Sequence, residues 1–301
     1  MERINWYPGH MAKAKRLLAD QLKRVDAVVE LCDARLPYSS RNPDLDRLIA
    51  GKQRILLLNK ADLAEPAATR LWVDSFRRGG LNAHPCQANA GKGQAALRLI
   101  EQSTREAVDR AAEKGVRKTV RVMVVGVTNV GKSSFINRLH GGNIAKTGDQ
   151  PGVTRANQWV RLNPWLEILD TPGLLWPRLD DQTAARRLCY IGSVSDQVVD
   201  LPLLTIALLE DLLQLKPEAV AARFRVQDPE LRGEALLEAV CRGRGFLMKG
   251  GVPDVDRCCS VVLDEFRGGR LGPVTLEMPG EEKQDAEDRP ERPGAGADRL
   301  G

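Results

Sequence analysis

Val120-Arg121-Val122-Met123-Val124-Val125-Gly126-Val127-Thr128-Asn129-Val130-Gly131-Lys132-Ser133 joins an apolar run directly to a glycine-bearing loop. Val120–Val125 is apolar at every position but Arg121, which predicts a buried parallel strand. The next eight residues fit G-x-x-x-x-G-K-[ST], and Lys132–Leu139 then reads as a helix. Between a strand and a helix, such a loop curls so that successive backbone N–H groups of Asn129, Val130, Gly131 and the residues after them point at phosphate oxygens. The helix N-terminus adds partial positive charge. Lys132 is then expected to reach the β- and γ-phosphates, Ser133 to ligate Mg²⁺, and Ser134 to sit in the same first turn. A chance glycine-rich turn is the competing reading, and the strand and helix on either side weigh against it.

Working outward, Ala27–Cys32, Arg54–Leu58 and Leu166–Leu169 are short apolar runs of the same kind, each followed by a polar or glycine-rich turn. Helical stretches at Met11–Arg24, Pro66–Arg78 and Gln94–Lys114 alternate with them. This alternation predicts an α/β fold with a mostly parallel, doubly wound sheet. Trp159–Leu162 reads as a further strand, joined to Leu166–Leu169 through an Asn163-Pro164 turn. After Gly173 the pattern becomes helical: Asp181–Cys189, Leu203–Gln214, Pro217–Phe224, Glu230–Gly243 and Asp254–Phe266. The expected organisation is a nucleotide-binding domain over 1–176, an all-α domain over 177–278 and a disordered tail over 279–301.

Two segments past the loop fit a triphosphate site. Leu166–Asp170 is a strand ending in an acid, followed by Thr171-Pro172-Gly173. Asp170 there would hold Mg²⁺, and the Gly173 N–H would meet the γ-phosphate. Gln150-Pro151-Gly152-Val153-Thr154 offers Thr154 as a second hydroxyl for Mg²⁺. Such segments order around the triphosphate and relax after hydrolysis.

The base is read from Asn59-Lys60-Ala61-Asp62, which precedes the phosphate loop in the chain. The Asp62 carboxylate can accept from both N1–H and the 2-amino group of guanine, whereas adenine would leave it unpaired. Asn59 would bond N7 and tie loops together, and the Lys60 stem would cover the ring. Alone, the tetrapeptide could be an ordinary helix start. Pro85–Gly93 would supply a backbone N–H for guanine O6, with Ala88 as the contact; Gln87 stands where GTPases usually carry Ser.

Composition is globular, with 43% hydrophobic and 28% charged residues. The net charge is +5, although Pro279–Gly301 carries seven acids against four bases. A modest basic excess permits nucleic-acid binding without requiring it. None of the six cysteines is spaced as CxxC, which argues against zinc and suits a reducing compartment. No run approaches the length of a transmembrane helix, and the N-terminus has no signal-peptide pattern. In Met11–Arg24, Ala14, Leu18, Leu22 and Val25 share an apolar stripe, with Lys13, Arg16 and Lys23 opposite. Arg186, Arg187, Arg242, Arg244, Lys249 and Arg257 add a basic set in the helical region, suited to backbone rather than base recognition of RNA.

The order of these motifs resembles the circularly permuted GTPases, specifically the ribosome biogenesis GTPase A (YlqF/RbgA) family. The residues that carry the likeness are Trp6–Ala14, Asp33-Ala34-Arg35-Leu36-Pro37, the base motif and phosphate loop, Ile144–Thr154 and Leu174-Leu175-Trp176-Pro177. The match runs to about Pro279. It implies a bacterial cytoplasmic GTPase that hydrolyses GTP to GDP and phosphate and assists late assembly of the large ribosomal subunit through its rRNA. GTP or GDP and the subunit precursor would be its partners, with neither membrane nor DNA. Leu174 stands where many GTPases carry a water-orienting Gln, and leucine cannot hydrogen-bond water. By resemblance His10 takes that role, the other reading being a cap on the basic helix that follows. Asn129 resembles the asparagine of GTPases that use K⁺ beside the phosphates, the other reading being a turn former. Lys132, Thr154 and Gly173 complete the expected catalytic set. A nucleotide-gated RNA-binding scaffold with incidental hydrolysis is the alternative from another class. A P-loop kinase or ATPase is disfavoured by the base motif.

Overall fold

The structure is a computed structural model and describes residues 16–42, 45–49, 51–87, 93–142, 144–145, 158–171 and 181–280. A six-stranded sheet lies at its centre, built from β1 (Ala27–Asp33), β2 (Gln53–Asn59), β3 (Asn82–Pro85), β4 (Val120–Val125), β5 (Gln158–Asn163) and β6 (Leu166–Asp170). Its order is β3-β2-β1-β4-β6-β5, with every pairing parallel except β5 on β6. Parallel strands need cover on both faces, and their side chains sort accordingly. On one face Val28, Met123, Val125 and Leu169 meet Leu18, Leu22 and Val25, which come from helix α1 (16–22) and the turn after it. Of the stripe expected there, Leu18, Leu22 and Val25 are buried, and opposite it Arg16 and Lys23 are exposed, while Lys13 and Ala14 lie outside the described residues. Leu45 from the short helix α2 (Leu45–Leu48) joins this cluster.

Toward one edge, Cys32, Leu56 and Leu58 pack on Trp72, Val73 and Phe76 of α3 (Pro66–Arg78). The opposite face of the central strands, with Val29, Leu31, Leu57, Val122, Val124 and Ile168, packs on Ile100 of α4 (Gln94–Ala112) and on Phe135, Ile136 and Leu139 of α5 (Lys132–His140).

The rest of the chain is helical: α6 (Gln182–Tyr190), α7 (Leu201–Leu215), α8 (Pro217–Phe224), α9 (Gly233–Arg244) and α10 (Val255–Arg267), with a 3-10 turn at Asp196–Val198. Side-chain caps start three of these helices. Asp181, Asp200 and Asp254 accept from the backbone N–H of Ala184, Leu203 and Arg257 at 3.0, 3.0 and 3.2 Å. Helix α7 reads LPLLTIALLEDLLQL, is apolar nearly all round, and touches each of the other four. A helix of that kind belongs at the centre of a bundle.

A seam joins the sheet and the helices. Their buried residues form one continuous apolar cluster. After α10 the chain returns along the sheet half as a strap. Val274 and Leu276 donate backbone bonds to the Leu63 and Arg35 carbonyls at 2.9 Å each. Trp72 donates to the Glu277 carbonyl at 2.8 Å, and the Glu277 carboxylate accepts from Tyr38 N–H at 2.8 Å and from the Ser39 hydroxyl. Among the described residues no helix is long and apolar enough to cross a membrane.

Candidate nucleotide site

In a parallel sheet the C-terminal strand ends line one edge, where ligands bind. Here that edge carries Asp33, Asn59, the Gly126–Ser133 loop and Asp170, at the ends of β1, β2, β4 and β6. Strand register brings them level, with Asp33 opposite Asn59 and Val124 opposite Asp170.

The base motif and the phosphate loop, some seventy positions apart in sequence, are hydrogen-bonded to each other. The buried Asn59 donates through Nδ2 to the Val130 carbonyl at 2.7 Å, and Lys60 donates through Nζ to the Asn129 carbonyl at 2.7 Å. Both donors meet carbonyls of the loop crest and occupy none of its backbone N–H groups. Gly131 is required by this contact. Its φ is +97°, and a Cβ there would lie 2.5 Å from Asn59 Nδ2. Lys60 itself takes a positive φ of 57° and pairs with Asp33 at 3.3 Å.

Asp33 is fully buried and held by Arg35, whose Nε and Nη2 donate to its two oxygens at 2.9 and 2.8 Å. Burial alone would raise the Asp33 carboxyl; the Arg35 and Lys60 charges outweigh it and hold the group well below the usual carboxylate range. Arg35 reaches on to the Phe266 carbonyl at the end of α10, at 3.2 Å. Its guanidinium also lies 5.1 Å from the Phe266 ring centroid. In the sequence Asp33 and Arg35 stand within Asp33-Ala34-Arg35-Leu36-Pro37, which by itself assigns them no role. Their position at the end of a central parallel strand is the signal that could have supplied one.

Lys132 opens α5 with its ammonium buried, donating to the Gly126 and Val127 carbonyls at 3.1 and 2.8 Å. Burial pushes it down to about 8, against the opposing pull of Asp170. Asp170 is buried too, and desolvation raises its carboxyl while Lys132 opposes. Its Oδ1 has no hydrogen-bond partner among the described residues. A buried, unpartnered carboxylate oxygen beside a lysine and a hydroxyl-bearing first helical turn fits a hard divalent cation such as Mg²⁺. Ser133 and Ser134 are half-buried in that first turn. Asp62 is exposed in the turn after β2, and Ala61 N–H is tied to the Cys86 carbonyl at 3.1 Å, joining the two loops expected to meet the base.

His10, Ala88, Thr154 and Gly173, together with Leu174, lie outside the described residues. Of the basic set in the helical half, Arg186, Arg187, Arg242 and Arg244 pair with Asp211, Glu277, Glu238 and Glu265, and Arg244 and Arg257 flank the Phe246 ring. Arg187 therefore belongs to the seam, and the basic face is more self-neutralised than its composition suggests.

Three comparisons bear on this site. A family model described as 50S ribosome-binding GTPase matches residues 121–222. Ribosome biogenesis GTPase A of Bacillus cereus is 42% identical over 290 residues, covering 95% of this chain and 97% of that protein. The GDP-bound and GNP-bound structures of T. maritima YlqF superpose with TM-scores of 0.60 and 0.61 at 29% identity, covering 88% and 89% of this chain and 99% of each of those. Matched along nearly its whole length, this chain belongs to the ribosome biogenesis GTPase A family and is a GTP-binding, GTP-hydrolysing enzyme.

Proposed function

We propose that this GTPase acts in late assembly of the large ribosomal subunit, and that one guanine-nucleotide site along the strand ends drives it. The observation that carries the reading is the pair of bonds from Asn59 and Lys60 to the crest of the phosphate loop, because it makes two distant motifs into one pocket edge. In that site Asp62 reads N1–H and the 2-amino group of guanine, with Ala88 facing O6. The backbone of Asn129–Ser134 cradles the phosphates, and Lys132 exchanges its two loop carbonyls for phosphate oxygens. Ser133, Thr154 and Asp170 would hold Mg²⁺, which neutralises charge developing on the β- and γ-phosphates. Gly173 offers its N–H to the γ-phosphate, and His10 orients the attacking water. Asn129 is the residue assigned to a K⁺ ion. We divide the chain at 176, with the helical part over 177–278 presenting the ribosome-facing surface and the tail beyond it. The setting that fits this role is the bacterial cytoplasm.

The test is GTP turnover with and without large-subunit precursor particles, in K⁺ and in Na⁺. Acceleration by the particles, greater in K⁺ than in Na⁺, is expected. A His10→Ala variant should lose the acceleration and keep its GTP affinity, because a group that acts only in the transition state changes turnover more than binding. If particles leave turnover unchanged, the scaffold alternative replaces this reading.

A further inference from the structure

The phosphate loop is gripped from a second side, by a turn that belongs to the helical half. Thr128 and Asn129 are the third and fourth residues of the loop motif. The Thr128 hydroxyl donates to the Ser193 carbonyl, and the Ser193 hydroxyl donates back to the Thr128 carbonyl at 2.8 Å. Asn129 donates through Nδ2 to the Gly192 carbonyl at 2.6 Å. Ser193 is fully buried and Thr128 nearly so, so these bonds do not compete with water. Asn129 adopts a positive φ of 58°, an uncommon state for a residue with a side chain. With Lys60 on its carbonyl and Gly192 on its amide nitrogen, that state is held from both sides.

The turn is itself locked. Arg267, the last residue of α10, donates to the Tyr190 and Cys189 carbonyls at 3.0 Å each and forks onto both oxygens of Asp196 at 2.7 Å. It thereby spans the two ends of the 189–196 segment. Gly192 sits between Arg267 and the loop with a φ of +70°. A Cβ there would lie 3.1 Å from Asn129 Nδ2 and 3.3 Å from the Arg267 guanidinium. The turn approaches the phosphate loop closely because it has no side chain at that point.

We propose that the Gly192–Ser193 turn is a positioning element of the phosphate loop, carried by the helical half and set by Arg267. It acts through Thr128 and Asn129 and touches no nucleotide itself. By linkage, whatever shifts α10 against the sheet changes nucleotide affinity, and nucleotide binding biases the seat of α10 by the same factor. This route differs from the chain connection through 172–180. The inference rests on the nucleotide-site reading above.

The test measures GDP affinity and release by fluorescent GDP titration on the full chain, beside thermal stability without nucleotide. Ser193→Ala removes one hydroxyl, and Arg267→Gln removes the fork. Each is expected to weaken GDP by about three- to tenfold, the scale of one or two lost hydrogen bonds, mainly through faster release. Ser39→Ala, which cuts a bond on the strap and not at the loop, is the control. It should lower thermal stability and leave GDP affinity unchanged. A conservative Arg267→Lys should restore part of what Arg267→Gln loses. In hydrogen exchange, GDP should slow the amides of residues 189–196. Wild-type GDP affinity in Ser193→Ala and Arg267→Gln would overturn the proposal, as would an equal loss in Ser39→Ala. Lys132→Ala separates the two levels. If it alone loses GDP, the positioning role falls and the nucleotide site stands. If it binds GDP normally, the nucleotide site itself is misplaced.

Discussion

The two halves of the molecule treat buried polarity differently. The sheet half hides Glu30, Asp33, Arg35, Asn59, Lys132 and Asp170, and all but Glu30 lie at the strand ends of the site edge or beside it. Between Asp181 and Leu271 the buried set is aliphatic, cysteine and aromatic, and its buried polar side chains are Ser193 and Thr205. Burying charge is costly unless each group is paired. The sheet half meets that cost with Asp33–Arg35–Lys60 and with Lys132 beside Asp170, where charge can serve phosphate and metal. In α6–α10 the helical half buries no charged side chain, and its strap holds Glu277 through Tyr38, Ser39 and Arg187. Its buried hydroxyl at Ser193 is turned toward the phosphate loop. Buried charge is thus concentrated on one strand edge, and the helices pack against it through apolar surface.

This division predicts separable losses. Leu212→Ala, at a fully buried position in the last turn of α7, should cost about 2–5 kcal/mol in urea unfolding while the folded fraction keeps wild-type GDP affinity. A proportionate loss of affinity would erase the comparison. Lys132→Ala should do the reverse, weakening Mg²⁺-GTP by about 10- to 100-fold with little effect on the unfolding midpoint of the nucleotide-free protein. Relief of the ammonium's desolvation offsets the loss of its bonds to the Gly126 and Val127 carbonyls and of its pull on Asp170, so the net change in stability is expected to be small.

A smaller effect follows from the same lysine. With its ammonium at about 8 before binding, and phosphates drawing it upward, binding takes up a proton once the pH exceeds that value. GDP affinity should be level below about pH 7 and fall by at most about tenfold per pH unit above about 8. A flat profile to about pH 9.5 would show either that burial does not hold the ammonium down before binding or that it does not meet the phosphates. Smaller still, Leu174→Ala should keep hydrolysis, because leucine cannot orient water; abolished turnover would show that the position acts directly.

Much of this was legible in the sequence where a local signal coincides with a tertiary demand. Val120–Val125, Pro66–Arg78 and Pro217–Phe224 are expected and found with identical bounds, since apolar runs and N-terminal prolines mark them. Asn82–Pro85 carries no apolar run, and only its pairing with Ile55–Leu58 makes it a strand. The strap at 274–277 alternates apolar and polar residues over only four positions, too short a run to predict an element, and is defined by the surface it lies on. For the site, residue types and motif order could be read, because phosphate and guanine chemistry constrain them. The Asn59–Val130 bond, the Asp33–Arg35–Lys60 group and the Ser193–Thr128 pair could not, because each joins segments whose distance in sequence carries no local mark.

The most direct test of the central claim, that base motif and phosphate loop form one guanine-specific site, is the nucleotide preference of Asp62→Asn. The amide presents a donor where guanine also donates, so the variant should lose GTP and gain XTP in competition titrations, with XTP hydrolysed in its place. Unchanged GTP affinity with no gain for XTP would contradict the account and take Asp62 out of the base site.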